Sequence, residues 1–212
     1  MYPLGYISLK TFLIISDFES LALLLPGLNE DTFRPSMKVL NGGTSLGHCI
    51  STLLSVIHAN FGVEEFDITS VQAATENNNI VDGVMSEGEG PADWRLGRAD
   101  NNIIPFNNTR TLKEIAKVVP DYSGRLTSSG FLVPTFPVSV LDVQIKLTKE
   151  ATLDELTNKV RKLAAAGPQR RLVGHTEDAV VSSDLVGEAT SCLLDAGASE
   201  QLAPDTVKLV AW

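Results

Sequence analysis

From Leu46 onward, apolar side chains recur at intervals of three and four: Leu46, Cys49, Ile50, Leu53, Leu54, Ile57 and Phe61. This spacing lines one face of a helix, and Gly62 supplies its stop. Cys49 is therefore expected to point into a core. Three short apolar runs precede it: Thr11 to Ser16, Leu21 to Leu25, and "MKVLN", which leads into "GGTSLGHC". They read as three strands before the first helix. Beyond Gly62, "VEEFDITSVQAAT" alternates as a strand, whereas Glu76 to Asn102 is rich in Asn, Gly and Glu, has no period, and reads as a long loop.

Asn108 or Thr109 caps a short helix carrying Leu112, Ile115 and Ala116, closed by Pro120. "LTSSGFLVP" and "PVSVLDVQIKL" alternate with period two, and the two prolines between them suggest that they bracket a turn in a sheet with one covered face. "TLDELTNKVRKLAAAG" is a second amphipathic helix, with a capping box at Thr152 and Glu155 and a glycine stop at Gly167. The segments "RRLVGH", "DAVVSSD", "SCLLDAG" and "VKLVAW" read as short strands. Strands interrupted by a few helices indicate an α+β fold rather than a regularly alternating parallel one.

Composition narrows the function. A net charge of −9 and a pI near 4.8 argue against nucleic acid or an anionic membrane as the main partner. The runs "FLIIS" and "LALLL" are broken by Asp17 and Glu19 and are too short to span a bilayer, and no signal-peptide pattern precedes them. An intracellular setting, cytoplasmic or inside an organelle, is the expectation. Cys49 and Cys192 have no CxxC or Cys/His ligand spacing, so neither a disulfide framework nor a metal site is indicated.

Several segments in order, "VIHANFG", "NIIP", "KVVPDYSGRLT", "VPTFPVSVLDV", "GHTEDAVVSSD", "DAG" and "VKLVAW", resemble phosphorylating glyceraldehyde-3-phosphate dehydrogenase. The resemblance implies that residues 45–212 form that family's catalytic domain, a mixed, largely antiparallel sheet with helices on one face. It implies too that residues 1–44 are a remnant of the last strands of a nucleotide-binding domain. Family members present this domain to an NAD-bound partner domain and assemble as tetramers. The loop from Glu76 to Asn102 corresponds to a tetramer-contact loop, rebuilt here by "VMSEGEGPAD", so homotetramer assembly is expected to be altered.

Placed on the family's nucleophile helix, "TSLGHC" puts Ser45 at the position of the attacking cysteine, and "TSVQAAT" puts Gln72 where the family has its histidine. A serine hydroxyl needs a positioned base to attack, and an amide shuttles no proton near neutral pH. Both positions read as degenerate. The arginine of the family's R-V-P-T is Leu132, and its phosphate-binding Thr-Gly is Thr109 and Arg110. Thr75, Arg98 and Thr109 remain as residual anion-binding candidates. No G-x-G-x-x-G follows a strand, so no cofactor is assigned.

Other polar residues have plainer readings. Ser45 and His48, three apart on one helix, suggest a hydrolase pair, but with no carboxylate behind the histidine Ser45 reads as a helix cap. His58 belongs to a helix end and His175 stands alone. Lys159, Arg161, Lys162, Arg170 and Arg171 read as a solvated face. Asn107 to Thr109 matches a glycosylation sequon and reads as a cap, and Cys192 reads as core. The expected function is thus that of a non-catalytic relative serving as a structural or interaction subunit beside other proteins. The alternative is an NAD-dependent oxidoreductase whose cofactor half lies outside this chain. A small-molecule sensor using Thr75 and Thr109 is a third reading.

Overall fold

The computed structural model describes residues 12–14, 21–25, 29–74, 101–122, 124–135, 138–166 and 171–212. Thr75, Arg98, Gly167, Arg170 and nearly all of the Glu76 to Asn102 loop lie outside them. Strands β1 (Phe12–Ile14) and β2 (Val39–Asn41) make a small parallel pair. The expected strand at Leu21 to Leu25 is a single bridge, Leu23 to Asn41. The Asn29 side chain bonds the backbone of this segment: it accepts Leu25 N–H at Oδ1 and donates from Nδ2 to the Leu23 carbonyl, each at 2.8 Å.

Seven strands form the main sheet, in the order β4 (Ile104–Phe106), β5 (Leu126–Val133), β3 (Val63–Ala73), β6 (Val140–Leu147), β9 (Thr206–Ala211), β8 (Cys192–Ala203) and β7 (Val173–Thr176). The β3–β5 and β7–β8 pairs are parallel and the remaining pairs antiparallel, the mixed, largely antiparallel α+β arrangement expected. β5 and β6, the two strands read as bracketing a turn, are not neighbours in the sheet. β3 lies between them, parallel to β5 and antiparallel to β6. Pro134, which has no N–H to extend the ladder, ends β5 where the chain leaves for the far side of β3. "DAVVSSD" is not a strand either. Ser182–Leu185 form a 3-10 turn whose Asp184 carboxylate accepts Val181 N–H at 2.9 Å, a local bond that replaces sheet pairing.

Helices α1 (Ser45–Phe61), α2 (Thr109–Val118) and α3 (Leu153–Ala166) share the core face of the sheet. Ile50, Leu53, Leu54 and Ile57 are at most 1% exposed, each burial contributing about 1.5–3 kcal/mol. They meet Ile68, Leu141, Val143, Ile145 and Leu209 from the sheet. Gly62 ends α1 at φ 72°, a conformation costly for any other residue. The capping box of α3 is present: Glu155 N–H donates to Thr152 Oγ1 (3.2 Å) and Thr152 N–H to Glu155 Oε2 (2.9 Å).

The "DAG" segment marks a break in β8, whose pairing with β9 slips between Asp195 and Glu200. Ser199 Oγ donates to the Asp195 carbonyl (2.6 Å) and accepts Val210 N–H (3.0 Å), replacing a ladder bond the bulge removes. The buried Asp195 carboxylate accepts Ala198 N–H at Oδ1 (3.0 Å) and Trp212 Nε1–H at Oδ2 (3.1 Å). Asp195→Asn is expected to cost about 1–3 kcal/mol, because the amide keeps one acceptor and turns an N–H donor on another N–H. Urea denaturation reads this directly, and an unchanged midpoint would refute it.

Candidate functional site

β2 runs through Gly42 and Gly43 into the N-terminus of α1. Gly43 has φ 76°, and a Cβ there would stand 2.6 Å from Leu25 Cδ2. The cap is Thr44 rather than Ser45: Thr44 is extended, and its Oγ1 accepts Gly47 N–H at 3.0 Å. Ser45 is the first helical residue. It is exposed, and among the described residues its side chain makes no hydrogen bond. An N-cap needs an extended backbone so that its side chain can fold back on the first turn, and Thr44 has it.

A carboxylate already occupies this end of the helix. Glu114, buried on α2, accepts Thr44 N–H at 3.2 Å and Thr44 Oγ1–H at 3.0 Å, both at Oε2. Thr111 Oγ1 lies 3.3 Å from Thr44 Oγ1. Gly47 makes room for the carboxylate, since a Cβ there would stand 2.8 Å from Glu114 Oε2. A helix N-terminus attracts negative charge through its free N–H groups and dipole, and Glu114 supplies that charge from within the chain. The residue lies within the helix read from Leu112, Ile115 and Ala116. Its role is visible only once α2 is packed on α1.

The side chains expected as partners of Ser45 are engaged elsewhere. His48 Nε2–H donates to the Gly42 carbonyl, so the suggested Ser45–His48 pair does not form. Gln72 is half-buried on β3, and its Nε2 donates to Ser70 Oγ at 3.4 Å. Asn108, in the N-cap position of α2, makes no capping bond. Its Nδ2 donates instead to Ser70 Oγ (2.7 Å) and the Ser129 carbonyl (3.1 Å), tying α2 to β3 and β5. Thr109 is the exposed first residue of α2. The other two anion-binding candidates, Thr75 and Arg98, are not described.

Beside Ser45 opens a cavity of about 370 Å³, lined in part by Cys49, Ser139, Glu188, Thr190 and Trp212. Glu188 accepts Thr190 N–H at 3.0 Å, which holds its carboxyl below the usual range. Among the described residues no basic side chain lines this cavity, and no group of three or more His, Cys, Asp or Glu is placed to hold a metal.

The other histidines have defined surroundings. Tyr122 Oη is 2.6 Å from His58 Nδ1, and burial, then the charge of Asp121, pushes the phenol up to about 12. His175 is not alone: its Nε2 is 3.8 Å from Glu177 Oε1, which also pairs with Arg161. Burial, then the Arg161 charge, lowers the pKa of His175 below its usual 6.5. A histidine with a depressed folded pKa leaves the unfolded chain binding more protons between the two pKa values, so stability is lost as the pH falls from the unfolded value towards the folded one. Denaturation midpoints are therefore expected to fall from about pH 6.5 downward, less steeply in His175→Phe. Equal slopes for both proteins would refute the assignment.

An α+β sheet with three helices on one face, and a small-residue turn feeding the N-terminus of α1, is the arrangement that the sequence resemblance implies. The sequence pattern of the glyceraldehyde 3-phosphate dehydrogenase C-terminal domain matches residues 47–212. Glyceraldehyde-3-phosphate dehydrogenase 2 of Saccharomyces cerevisiae is 40% identical over 204 residues, covering 96% of this chain and 59% of the relative. Glyceraldehyde-3-phosphate dehydrogenase 1 of Schizosaccharomyces pombe is 39% identical with the same coverage, and its namesake in Kluyveromyces lactis is 39% identical, with 60% of the relative covered. The chain belongs to the glyceraldehyde-3-phosphate dehydrogenase family. It spans about three fifths of the length of these relatives. Among the described residues, no helix is long and apolar enough to cross a membrane.

Proposed function

We propose that this chain is a non-catalytic member of its family, acting as a structural or interaction subunit of a larger protein assembly. What supports the reading is the N-terminus of α1: Ser45, which the family resemblance sets at the nucleophile position, opens the helix, and the Glu114 carboxylate takes up its electropositive end. The amide of Gln72, which the resemblance sets at the base position, is hydrogen-bonded to Ser70 and offers no proton acceptor of useful basicity. Residues 1–44 fit the reading as the last strands of a nucleotide-binding domain. The exposed apolar side chains of Val181 and Val186, the latter on the cavity wall, suit a surface covered by another protein.

The purified chain, given glyceraldehyde 3-phosphate, NAD and phosphate, is expected to form no NADH above a blank. Turnover abolished by Ser45→Ala would overturn the proposal. The family identity itself favours a second reading, an NAD-dependent oxidoreductase whose cofactor half lies outside this chain. A concentration-dependent rise in melting temperature on adding NAD would support it, since a ligand that binds only the folded form must stabilise it.

A further inference from the structure

We infer that the cavity beside Ser45 binds an organic cation, a guanidinium or alkylammonium group, with Glu188 as its counter-ion. At about 370 Å³ the cavity is at the small end of the range in which ligand sites fall. Its wall joins three segments that are distant in sequence: the start of α1 with Ser45, the approach to β6 with Ser139, and the turn into β8 with Val186, Glu188 and Ser191. Among the described residues the Ser45, Ser139 and Ser191 hydroxyls have no hydrogen-bond partner, so each can accept from a ligand. Two donors on the same wall are already spent. The Cys49 thiol donates to the Trp212 carbonyl (3.7 Å), and the Trp212 indole N–H donates to the buried Asp195 carboxylate (3.1 Å).

Charge sets the sign of the ligand. Glu188 accepts Thr190 N–H at 3.0 Å, a bond that favours the ionised carboxylate, and among the described residues no cation pairs with it or lines the cavity. The electropositive end of α1 does not neutralise it, because that end is taken up by Glu114. A carboxylate left unmatched in a concave wall favours a ligand that brings the opposite charge, and it repels an anion. A neutral polyol would satisfy the hydroxyls and leave Glu188 without a counter-charge. A guanidinium or ammonium carries enough N–H donors for the carboxylate and the hydroxyls together. Such a group arrives either free, as a small amine or guanidine, or on a lysine or arginine of another protein. Val181 and Val186, exposed on either side of the 3-10 turn, give a protein segment apolar contacts that a free cation does not use.

The test titrates the full, isotope-labelled chain at fixed ionic strength with ethylguanidinium chloride and with ethylurea, its uncharged isostere, and follows the backbone amide signals. Ethylguanidinium is expected to saturate shifts at Ser45, Leu46 and residues 186–191, and ethylurea to bind at least about tenfold more weakly, the loss of a hydrogen bond to a charged group. Glu188→Gln, which keeps an acceptor for Thr190 N–H, should lose the same factor for ethylguanidinium. Shifts that never saturate, ethylurea binding as tightly, an unchanged titration in Glu188→Gln, or inorganic phosphate saturating the same signals would overturn the assignment. The comparison of the two ligands on the unmutated chain decides the question even if the variant fails to fold. Acetyl-Leu-Arg-Leu-amide separates the two sources. Binding tighter than that of ethylguanidinium, with the gain lost in Val186→Ser, would support the site with its cation on a partner protein, and equal or weaker binding would support it with a free small molecule.

Discussion

Replacing Glu114 with alanine is expected to destabilise the protein by about 2–4 kcal/mol, because the change strips a buried, hydrogen-bonded carboxylate from the joint between α1 and α2. Thr44 N–H and Thr44 Oγ1–H would both lose the acceptor they share at Glu114 Oε2. A buried donor left unsatisfied costs about 1–3 kcal/mol, and the half-buried Thr44 sits at the lower end of that range for each of its two. The space vacated against Gly43 and Gly47 would remain, since neither glycine has a side chain to fill it. Glu114→Gln keeps an acceptor oxygen but loses the charge that complements the helix end, so an intermediate loss is expected. Urea denaturation of the three proteins gives the ranking. If alanine matched the unmutated chain, Glu114 would be a bystander and the account of α1's N-terminus would fail.

Local pattern carried much of the fold. The spacing from Leu46 to Phe61 marked α1 and its buried face, and Gly62 its end, because helix periodicity and the glycine stop are written within a few residues of one another. The capping box of α3 was legible for the same reason. Strand order was not. Nothing within "LTSSGFLVP" or "PVSVLDVQIKL" says that β3, more than fifty residues earlier, will lie between them, since each strand's alternation reports a covered face and not its neighbours. "DAVVSSD" resembles a strand in sequence because its apolar residues outweigh the tendency of Ser and Asp to bond their own backbone, the tendency that prevails in the fold.

The candidate site was legible in its residue types and not in its contacts. Ser45 and Gln72 could be set against a family pattern position by position. The cap, one residue earlier at Thr44, depends on backbone angles that the sequence only suggests. Glu114 gave no signal, since a glutamate on a short helix reads as solvent-facing until the helix is docked. Asn108 was read as a cap because asparagine is favoured there, yet its amide reaches Ser70 and the Ser129 carbonyl, partners supplied by two strands. His175 read as solitary because Arg161 belongs to a different element, α3.

Ser45→Cys is expected to restore a cysteine at the nucleophile position without restoring a reactive thiolate. A helix N-terminus lowers a thiol's pKa through its free N–H groups and dipole, from about 8.5 into the range 3.5–7.5 in reactive cysteines. Here Thr44 N–H is already bonded to Glu114 Oε2, and the negative carboxylate opposes a second negative charge one residue away. Alkylation by iodoacetamide, followed against pH with the unmutated chain as the blank for Cys49 and Cys192, should reach half its plateau at or above about pH 8.5. Adding Glu114→Gln removes the opposing charge and should move that midpoint down by on the order of one unit, a tenfold gain in thiolate near neutral pH. A midpoint well below 7 in Ser45→Cys alone would show that the helix end still activates a nucleophile with Glu114 in place. The non-catalytic reading would then stand only on the serine itself and on Gln72.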